Sequence, residues 1–238
     1  MSEFLQVLDW DSEFFGIKVA SIEKNIFGTG RGSSVLQKMK LEGIDLCYCY
    51  SDSPIDVDEF SEEFKIILVD EKVPLIKTLN RNAVTHPKIK VYDKNFPDDN
   101  LIKLALRAGE QSRFKVDPNI PNAKSDELFK IWIEKSVQKE LATDVLVYRE
   151  GTNIIGFITV QIKGGKPYAS LLAVQKEYEG KGVSFALMNA VENMLTTKGF
   201  SHIYSSTQLS NKKALLIYSR QGLELQDPIF VYHIWKKK

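Results

Sequence analysis

The chain has 238 residues, a length that fits one or two compact units. Lys and Arg total 32 against 31 for Asp and Glu, so no charge excess indicates a nucleic-acid or membrane partner. No apolar run reaches the ~18 residues of a membrane-spanning helix, and no basic segment precedes an apolar run in residues 1–4, so we expect a cytoplasmic protein.

Residues 1–95 predict a smaller α/β domain. In chain order we expect an apolar stretch, a glycine-rich turn, a helix and three strands, over residues 17–22, 28–32, 33–42, 44–50, 66–69 and 89–92. Cys47 and Cys49 lie two residues apart on one predicted strand, which disfavours a disulfide between them. Because His86, His202 and His233 are also far apart in sequence, we expect free thiols and no metal site.

Residues 96–238 predict a second domain. Ser125 is the expected N-cap of its second helix. Strands and helices then follow in the order strand, strand, strand, helix, strand, helix, strand. The predicted elements are helices over residues 100–111, 126–138, 183–198 and 212–221 and strands over 145–149, 154–161, 168–174, 203–207 and 229–235.

A glycine-rich turn lies between the strand that ends at Val174 and the helix that begins near Val183. Gly180 and Gly182 remove side chains that would keep a ligand away from the backbone. The first-turn amides of the helix have no intrahelical acceptor, and the helix dipole and Lys181 add positive potential. The turn is therefore a candidate pyrophosphate cradle, although most Gly-x-Gly turns only make a bend.

A second motif follows about thirty residues later. Asn211, Ala214 and Tyr218 have the spacing i, i+3 and i+7, which predicts one face of a helix. An amide, a small residue and a phenol would then line one wall of a groove.

Together the two motifs resemble the Gcn5-related N-acetyltransferase (GNAT) superfamily over roughly the last 140 residues. The resemblance implies an α/β (α+β) fold with a mixed, mostly antiparallel central sheet flanked by helices, acetyl-CoA as co-substrate and no metal. Glu179 stands where the family has Gln or Arg, so its side chain is expected to point away from the pyrophosphate. The implied cofactor-binding residues are Leu172, Ala173, Val174, Glu179, Gly180, Lys181, Gly182, Val183, Ser184, Asn211, Ala214 and Tyr218.

A weaker resemblance concerns the acceptor. Trp10-x-x-x-Phe14-Phe15-Gly16 and Ser112-Arg113-Phe114 are similar to motifs of the TDP-fucosamine N-acetyltransferase branch. This resemblance implies a TDP-4-amino-4,6-dideoxyhexose as acceptor, with Arg113, Phe14, Phe15 and Ser112 on the substrate side, and it leaves a homodimer open. The alternatives are that Trp10, Phe14 and Phe15 only fill a small core, that the acceptor is a protein amine or an aminoglycoside, or that the chain is a non-catalytic acyl-CoA-binding module.

The GNAT resemblance also implies catalytic roles. Tyr218 would protonate the leaving thiolate, and Asn211 would hydrogen-bond the pantetheine arm or a nearby water. A bulge near the end of the strand would free a main-chain amide, around Ala173 or Val174, for the oxyanion. Because the strand over residues 168–174 contains no Asp or Glu, we expect ordered water to remove the proton of the amine.

Overall fold

The computed structural model describes residues 4–56 and 63–237. Within these residues the chain forms seven α-helices and eleven strands. The helices are α1 (Asp9–Phe15), α2 (Gly32–Glu42), α3 (Asp99–Ala108), α4 (Arg113–Val116), α5 (Asn122–Val137), α6 (Val183–Thr197) and α7 (Lys212–Arg220). The strands are β1 (Leu5–Val7), β2 (Val19–Ile22), β3 (Leu46–Ser51), β4 (Phe64–Thr78), β5 (Ile89–Val91), β6 (Asp144–Glu150), β7 (Asn153–Lys163), β8 (Lys166–Val174), β9 (His202–Gln208), β10 (Glu224–Leu225) and β11 (Ile229–Lys236).

The strands form one sheet in the order β1-β2-β3-β11-β4-β9-β8-β7-β6-β5, and β10 pairs with β4. The pairs β2–β3 and β8–β9 are parallel, and the other pairs are antiparallel. The expected mixed, mostly antiparallel sheet is therefore confirmed. Strands from both sides of residue 95 share this sheet, and the division into domains 1–95 and 96–238 stays a prediction.

Helices cover both faces of the half of the sheet that contains β5 to β9. On β6, Leu146 and Tyr148 pack in the core that contains the apolar side of α6. Val145 and Val147, which point to the opposite face of the strand, pack with residues of α3 and α5. The alternation of side chains along β6 thus gives two cores, one on each side of the sheet.

Two local predictions differ from the structure. Strand β4 is fifteen residues long, whereas the sequence predicts only residues 66–69, because the charged run 70–72 and Pro74 interrupt the apolar pattern. Helix α5 begins at Asn122 with Pro121 as its N-cap, so the prediction of Ser125 as N-cap is wrong. Ser125 is 1% exposed within the helix, where its small side chain fits against the core.

Cys47 and Cys49 are buried free thiols on β3, as predicted. In the described ranges 4–56 and 63–237, no cluster of three or more His, Cys, Asp or Glu residues is arranged to hold a metal ion. No helix in the same ranges has the length and apolar character that spanning a membrane requires.

Candidate active site

A groove opens where β8 and β9 separate. The two parallel strands have one paired position, Tyr168 with Tyr204, and beyond it they diverge. The resulting cavity has a volume of about 510 Å³ and is lined by main chain and side chains of β4, β8, β9, the end of α3, the beginning of α6 and α7. Of the predicted site residues, Leu172, Ala173, Val174, Glu179, Gly180, Val183, Ser184, Asn211, Ala214, Tyr218, Ser112 and Arg113 line it.

A bulge in β8 helps to separate the strands. Ile158 of β7 pairs with Leu172, but Val160 pairs with Ala169, so two residues of β8 lie opposite Thr159. The amide of Leu171 donates to Thr159 Oγ1 at 2.9 Å, which provides a partner for the extra residue. The bulge therefore lies at residues 170 and 171, earlier in the strand than the predicted position near Ala173 or Val174.

The register of β8 shows which main-chain groups face the groove. The amide of Gln175 donates to the carbonyl of Ile155 at 2.8 Å. In an antiparallel ladder the hydrogen-bonded positions alternate, so Ala173 also bonds to β7, whereas Leu172 and Val174 direct their N–H and C=O groups toward the gap. Leu172 and Val174 thus offer backbone donors to a ligand, and the Ala173 amide is engaged within the sheet.

The turn before α6 has the expected geometry. Gly180 and Gly182 adopt φ of +73° and +80°, which glycine tolerates far better than other residues. Gly182 is the N-cap of α6 and has no side chain to accept from the first-turn amides, which are available to an anion. Lys181 and Gly182 do not line the cavity. The ammonium of Lys181 lies over the ring of Tyr178, 5.1 Å from the centroid.

Gly156 is a further residue that positions this turn, and it lies outside both sequence motifs. It lies on β7 opposite Val174. A Cβ at this position would lie 2.9 Å from Val183 Cγ1, so the absence of a side chain lets the start of α6 approach the sheet closely. A single glycine within an apolar run was the only signal for this close approach.

Glu179 points into the groove but carries two counter-charges. Arg107 Nη2 donates to Glu179 Oε1 at 2.7 Å, and Lys213 forms an ion pair with Oε2. The hydrogen bond from Lys213, together with that from Arg107, lowers the pKa of Glu179. The expectation that this side chain points away is therefore wrong. The cluster brings together cations from α3 and α7 at the end of the groove where α6 begins.

The residues of the second motif meet the groove in different ways. Asn211 is not on the helix face: it is the N-cap of α7, and its Oδ1 accepts from the Ala214 amide at 3.1 Å. Tyr218 is 7% exposed and lines the groove. Burial raises the pKa of its phenol, against a smaller lowering by a hydrogen bond with Ser205. Tyr218 is therefore a protonated donor at neutral pH.

The other end of the groove is formed by α4, β3 and β4. Ser112 is the N-cap of α4 and accepts from the Lys115 amide, which orients the helix that carries Arg113. Arg113 Nη1 donates to the Tyr50 hydroxyl at 2.7 Å, and its guanidinium lies over the ring of Tyr48, 4.2 Å from the centroid. Stacking and hydrogen bonding thus fix one cation beside the cavity.

Phe14 and Phe15 do not line the groove. Phe14 stacks on Trp10 at a centroid distance of 5.3 Å, and Phe15 lies 6.1 Å from Phe114. Both aromatic rings pack in the core between β3 and α4. Their packing supports α4 from behind and corrects the expectation that they contact substrate in this groove.

Asp117 anchors the chain after α4, a role that local sequence patterns did not reveal. Its Oδ2 lies 2.5 Å from His233 Nδ1 and 2.8 Å from Trp235 Nε1, both on β11, and the Asn119 amide donates to Oδ1. Burial opposes ionisation of Asp117, but the hydrogen bond with His233 and its other contacts lower the pKa overall. Burial lowers the pKa of His233. The buried pair therefore ties α4 to the centre of the sheet.

Comparison with known proteins identifies a family that part of the chain resembles. Residues 107–223 match the acetyltransferase (GNAT) family. The spore coat polysaccharide biosynthesis protein SpsD of Bacillus subtilis is 25% identical over 58% of this chain and 47% of its own length. N-alpha-acetyltransferase 30 of Schizosaccharomyces pombe is 28% identical over 28% of this chain and 45% of its own length. The chain thus matches about half the length of each of these relatives.

A solved structure gives the same fold. A GNAT-family acetyltransferase from Novosphingobium aromaticivorans aligns with 100% of this chain and 91% of its own, at a TM-score of 0.58 and 13% identity. This likeness extends beyond residues 107–223 to the N-terminal strands. The comparisons thus identify residues 107–223, which form most of the groove, as similar to the GNAT acetyltransferase family.

Proposed function

We propose that this protein is an acetyl-CoA-dependent N-acetyltransferase. The observation that carries the proposal is the gap between β8 and β9, which has an open helix N-terminus at one end and Tyr218 in its wall. This arrangement can hold a long thioester cofactor in an extended form. Main-chain groups of Leu172 and Val174 would bind the pantetheine arm as a strand binds its neighbour.

The pyrophosphate would bind to the first-turn amides of α6, which begins at Gly182. Arg107 and Lys213 lie nearby and both form ion pairs with Glu179, so their two positive charges exceed its single negative charge. Glu179 in place of Gln or Arg is then compatible with an anionic ligand, because the cluster has a net positive charge. Asn211 contributes by capping α7, and we propose that it orients the helix that carries Tyr218.

The chemistry is direct attack of an amine on the thioester. A main-chain amide at Leu172 or Val174 would stabilise the oxyanion, and Tyr218 would give its proton to the sulfur when the C–S bond breaks. A phenol with a raised pKa remains protonated until the thiolate forms. A binding module has no use for a proton donor at this position, which favours the enzyme.

For the acceptor we propose a nucleotide-linked amino sugar of the TDP-4-amino-4,6-dideoxyhexose type, acetylated in the cytoplasm. SpsD, a spore coat polysaccharide biosynthesis protein, is among the relatives, and Arg113 lies fixed beside the cavity. An anionic diphosphate fits such a cation better than a polycationic aminoglycoside does. A peptide amine is the second candidate, since N-alpha-acetyltransferase 30 is also a relative.

The test is thiol release from acetyl-CoA with TDP- and UDP-amino sugars, with peptide amines and aminoglycosides as the competing acceptors. We expect turnover with the TDP-4-amino sugars. Arg113→Ala should raise the KM of the sugar and leave that of acetyl-CoA within about twofold. Turnover with the peptide amines alone would show that the acceptor is a peptide and not a nucleotide sugar. Failure of the protein to bind CoA in calorimetry would also overturn the proposal that acetyl-CoA is the co-substrate.

A further inference from the structure

A carboxylate from the N-terminal part of the chain lies in the wall of the groove. Asp70 is on β4, two residues before Lys72, which pairs with Gln208 at the end of β9. Asp70, Lys72 and Gln208 all line the cavity. Asp70 is thus located where β9 ends, beyond the part of the groove that contains Tyr218 and its hydrogen-bond partner Ser205.

The Asp70 side chain has an unused oxygen. Oδ1 is buried and has no hydrogen-bond partner in the part of the chain that the structure describes. A buried carboxylate oxygen without a donor is costly and therefore uncommon in a folded protein. Inside a ligand groove it is a group available to a ligand that brings its own N–H.

The charges around Asp70 do not offset the effect of burial on its pKa. Burial raises the pKa of Asp70 to about 6, and the charge of Glu71 adds to the rise. The charges of Lys72 and Arg113 and a hydrogen bond from the Glu71 backbone act in the opposite direction. Arg113 is committed to the Tyr50 hydroxyl and the Tyr48 ring. The carboxyl group is therefore ionised at neutral pH and close enough to its pKa to accept a proton.

The other carboxylates that line the groove are less suitable. Glu179 is held by Arg107 and Lys213, which lower its pKa and make it a weak base. Glu110 is exposed at the end of α3. Asp70 is the carboxylate that combines partial burial with a free oxygen in the described part of the groove.

We propose that Asp70 is the general base that deprotonates the acceptor amine. The proposal rests on the proposed N-acetyltransferase function. An ammonium group donates to Oδ1, the proton moves to the carboxylate, and the freed lone pair forms the C–N bond with the thioester carbonyl carbon. The carbonyl π electrons move to oxygen and return when the C–S bond breaks. The electron pair of the C–S bond leaves with sulfur, and the resulting thiolate takes the proton of Tyr218.

The protons balance over one turnover. The amine nitrogen loses a second proton as the amide forms, and this proton replaces the one that Tyr218 gave to sulfur. Asp70 then releases its proton to solvent. The net reaction converts an ammonium ion and acetyl-CoA into an amide, CoA and one proton. The sequence pattern pointed to water as the base only because β8 has no acidic residue, whereas β4 supplies one.

The experiment compares Asp70→Asn with Glu71→Gln. Glu71 is the adjacent carboxylate on β4 and does not line the groove, so its variant removes the same charge from the other face of the strand. We expect Asp70→Asn to lower kcat by about 10²- to 10⁴-fold with the best TDP-amino sugar, while CoA binding by calorimetry changes less than about twofold. Glu71→Gln should retain kcat.

The pH profile gives a signature that a structural role would not produce. The kcat of the wild-type protein should fall on the acid side with an apparent pKa near 6. This limb should be absent from the residual activity of Asp70→Asn and should return, at a shifted pH, in Asp70→Glu. Lys72→Met removes a cation that lowers the pKa of Asp70, so this variant should move the acid limb to higher pH.

The outcomes separate this inference from the function itself. An active wild-type protein whose Asp70→Asn variant keeps its kcat and its acid limb overturns the role of Asp70 alone. A wild-type protein that binds CoA but acetylates none of the amines overturns the proposed function and, with it, the role of Asp70. Loss of CoA binding in Asp70→Asn, with Glu71→Gln unaffected, identifies a structural role and also overturns the inference.

Discussion

At the scale of single residues, Tyr218 separates catalysis from binding. Tyr218→Phe removes one oxygen and keeps the buried ring. We expect kcat to fall by at least about tenfold, because loss of a general acid usually costs 10²- to 10⁴-fold, while CoA affinity changes little. Steady-state kinetics and a CoA titration on the same preparation measure both quantities. An unchanged kcat would mean that solvent protonates the thiolate.

Gly182 provides a second residue-level prediction. Any other residue must adopt φ near +80°, and a side chain there would also crowd an anion at the α6 amides. Gly182→Val should therefore weaken CoA binding at least about tenfold, which corresponds to about 1.4 kcal/mol. Calorimetry on the folded variant measures this loss.

Gly164→Val is the matched control for backbone strain. Gly164 has φ of +57° in the hairpin between β7 and β8, whereas Gly182 is the N-cap of α6. Both variants should lose stability, but Gly164→Val should bind CoA with the wild-type affinity. Equal CoA affinity in Gly182→Val and wild-type protein would exclude the turn as the pyrophosphate site.

At the scale of elements, the bulge in β8 depends on one hydroxyl. Thr159 is 1% exposed, and its Oγ1 accepts from the Leu171 amide at 2.9 Å. Thr159→Val keeps the shape and leaves a buried N–H unpaired, which should cost about 1–3 kcal/mol of unfolding free energy. Because the bulge separates β8 from β9, CoA affinity should fall too.

Thr143→Val controls for a hydrogen bond lost elsewhere along β7. The Ile162 amide donates to Thr143 Oγ1 at 3.2 Å, away from the groove. Urea denaturation should find both variants destabilised, and calorimetry should find CoA affinity reduced only in Thr159→Val. If both variants bind CoA normally, the separation of the strands does not depend on the bulge.

The elements also explain which features the sequence could predict. The turn at Gly180 and Gly182 carries a local signal, since the residues that bend the chain are also the ones proposed to bind the pyrophosphate. The pairing of Glu179 with Arg107 and Lys213 joins residues 72 and 34 positions apart, which no local pattern reports. Asp70 was not predicted as a site residue, because the charged residues around it do not have the pattern of a strand. Only the order of the strands in the sheet shows that β4 places Asp70 in the groove.

At the scale of the whole molecule, the burial of the Asp70 carboxylate in the groove affects the stability of the folded state. The pKa of Asp70 rises from its ordinary 3.8 to about 6, so the folded state holds this proton more tightly than the unfolded state does. The contribution of Asp70 to stability therefore decreases as the pH rises from about 4 to about 6 and stays low above that range. At neutral pH the ionised carboxylate destabilises the fold.

Asp70→Asn should consequently be more stable than the wild-type protein at pH 7.5. A shift of about two pKa units in a partly solvated group corresponds to on the order of 1–2 kcal/mol after allowance for screening. The stability advantage of Asp70→Asn should disappear near pH 4. Because His233 and Asp117 are present in both proteins, their contributions cancel in the difference between the two unfolding free energies. Urea denaturation at both pH values measures it. A variant less stable at pH 7.5 would indicate that the carboxylate has favourable partners.

The position of β11 has a consequence for biosynthesis. This strand lies between β3 and β4, which end about 180 and about 150 residues earlier in the chain, and Val231 of β11 pairs with Asp70. A ribosome makes β11 after every other strand described here, so β3 and β4 emerge with their shared edges open and remain so until translation reaches residue 229. The nascent chain therefore exposes two edges suited to unwanted strand pairing throughout most of its synthesis.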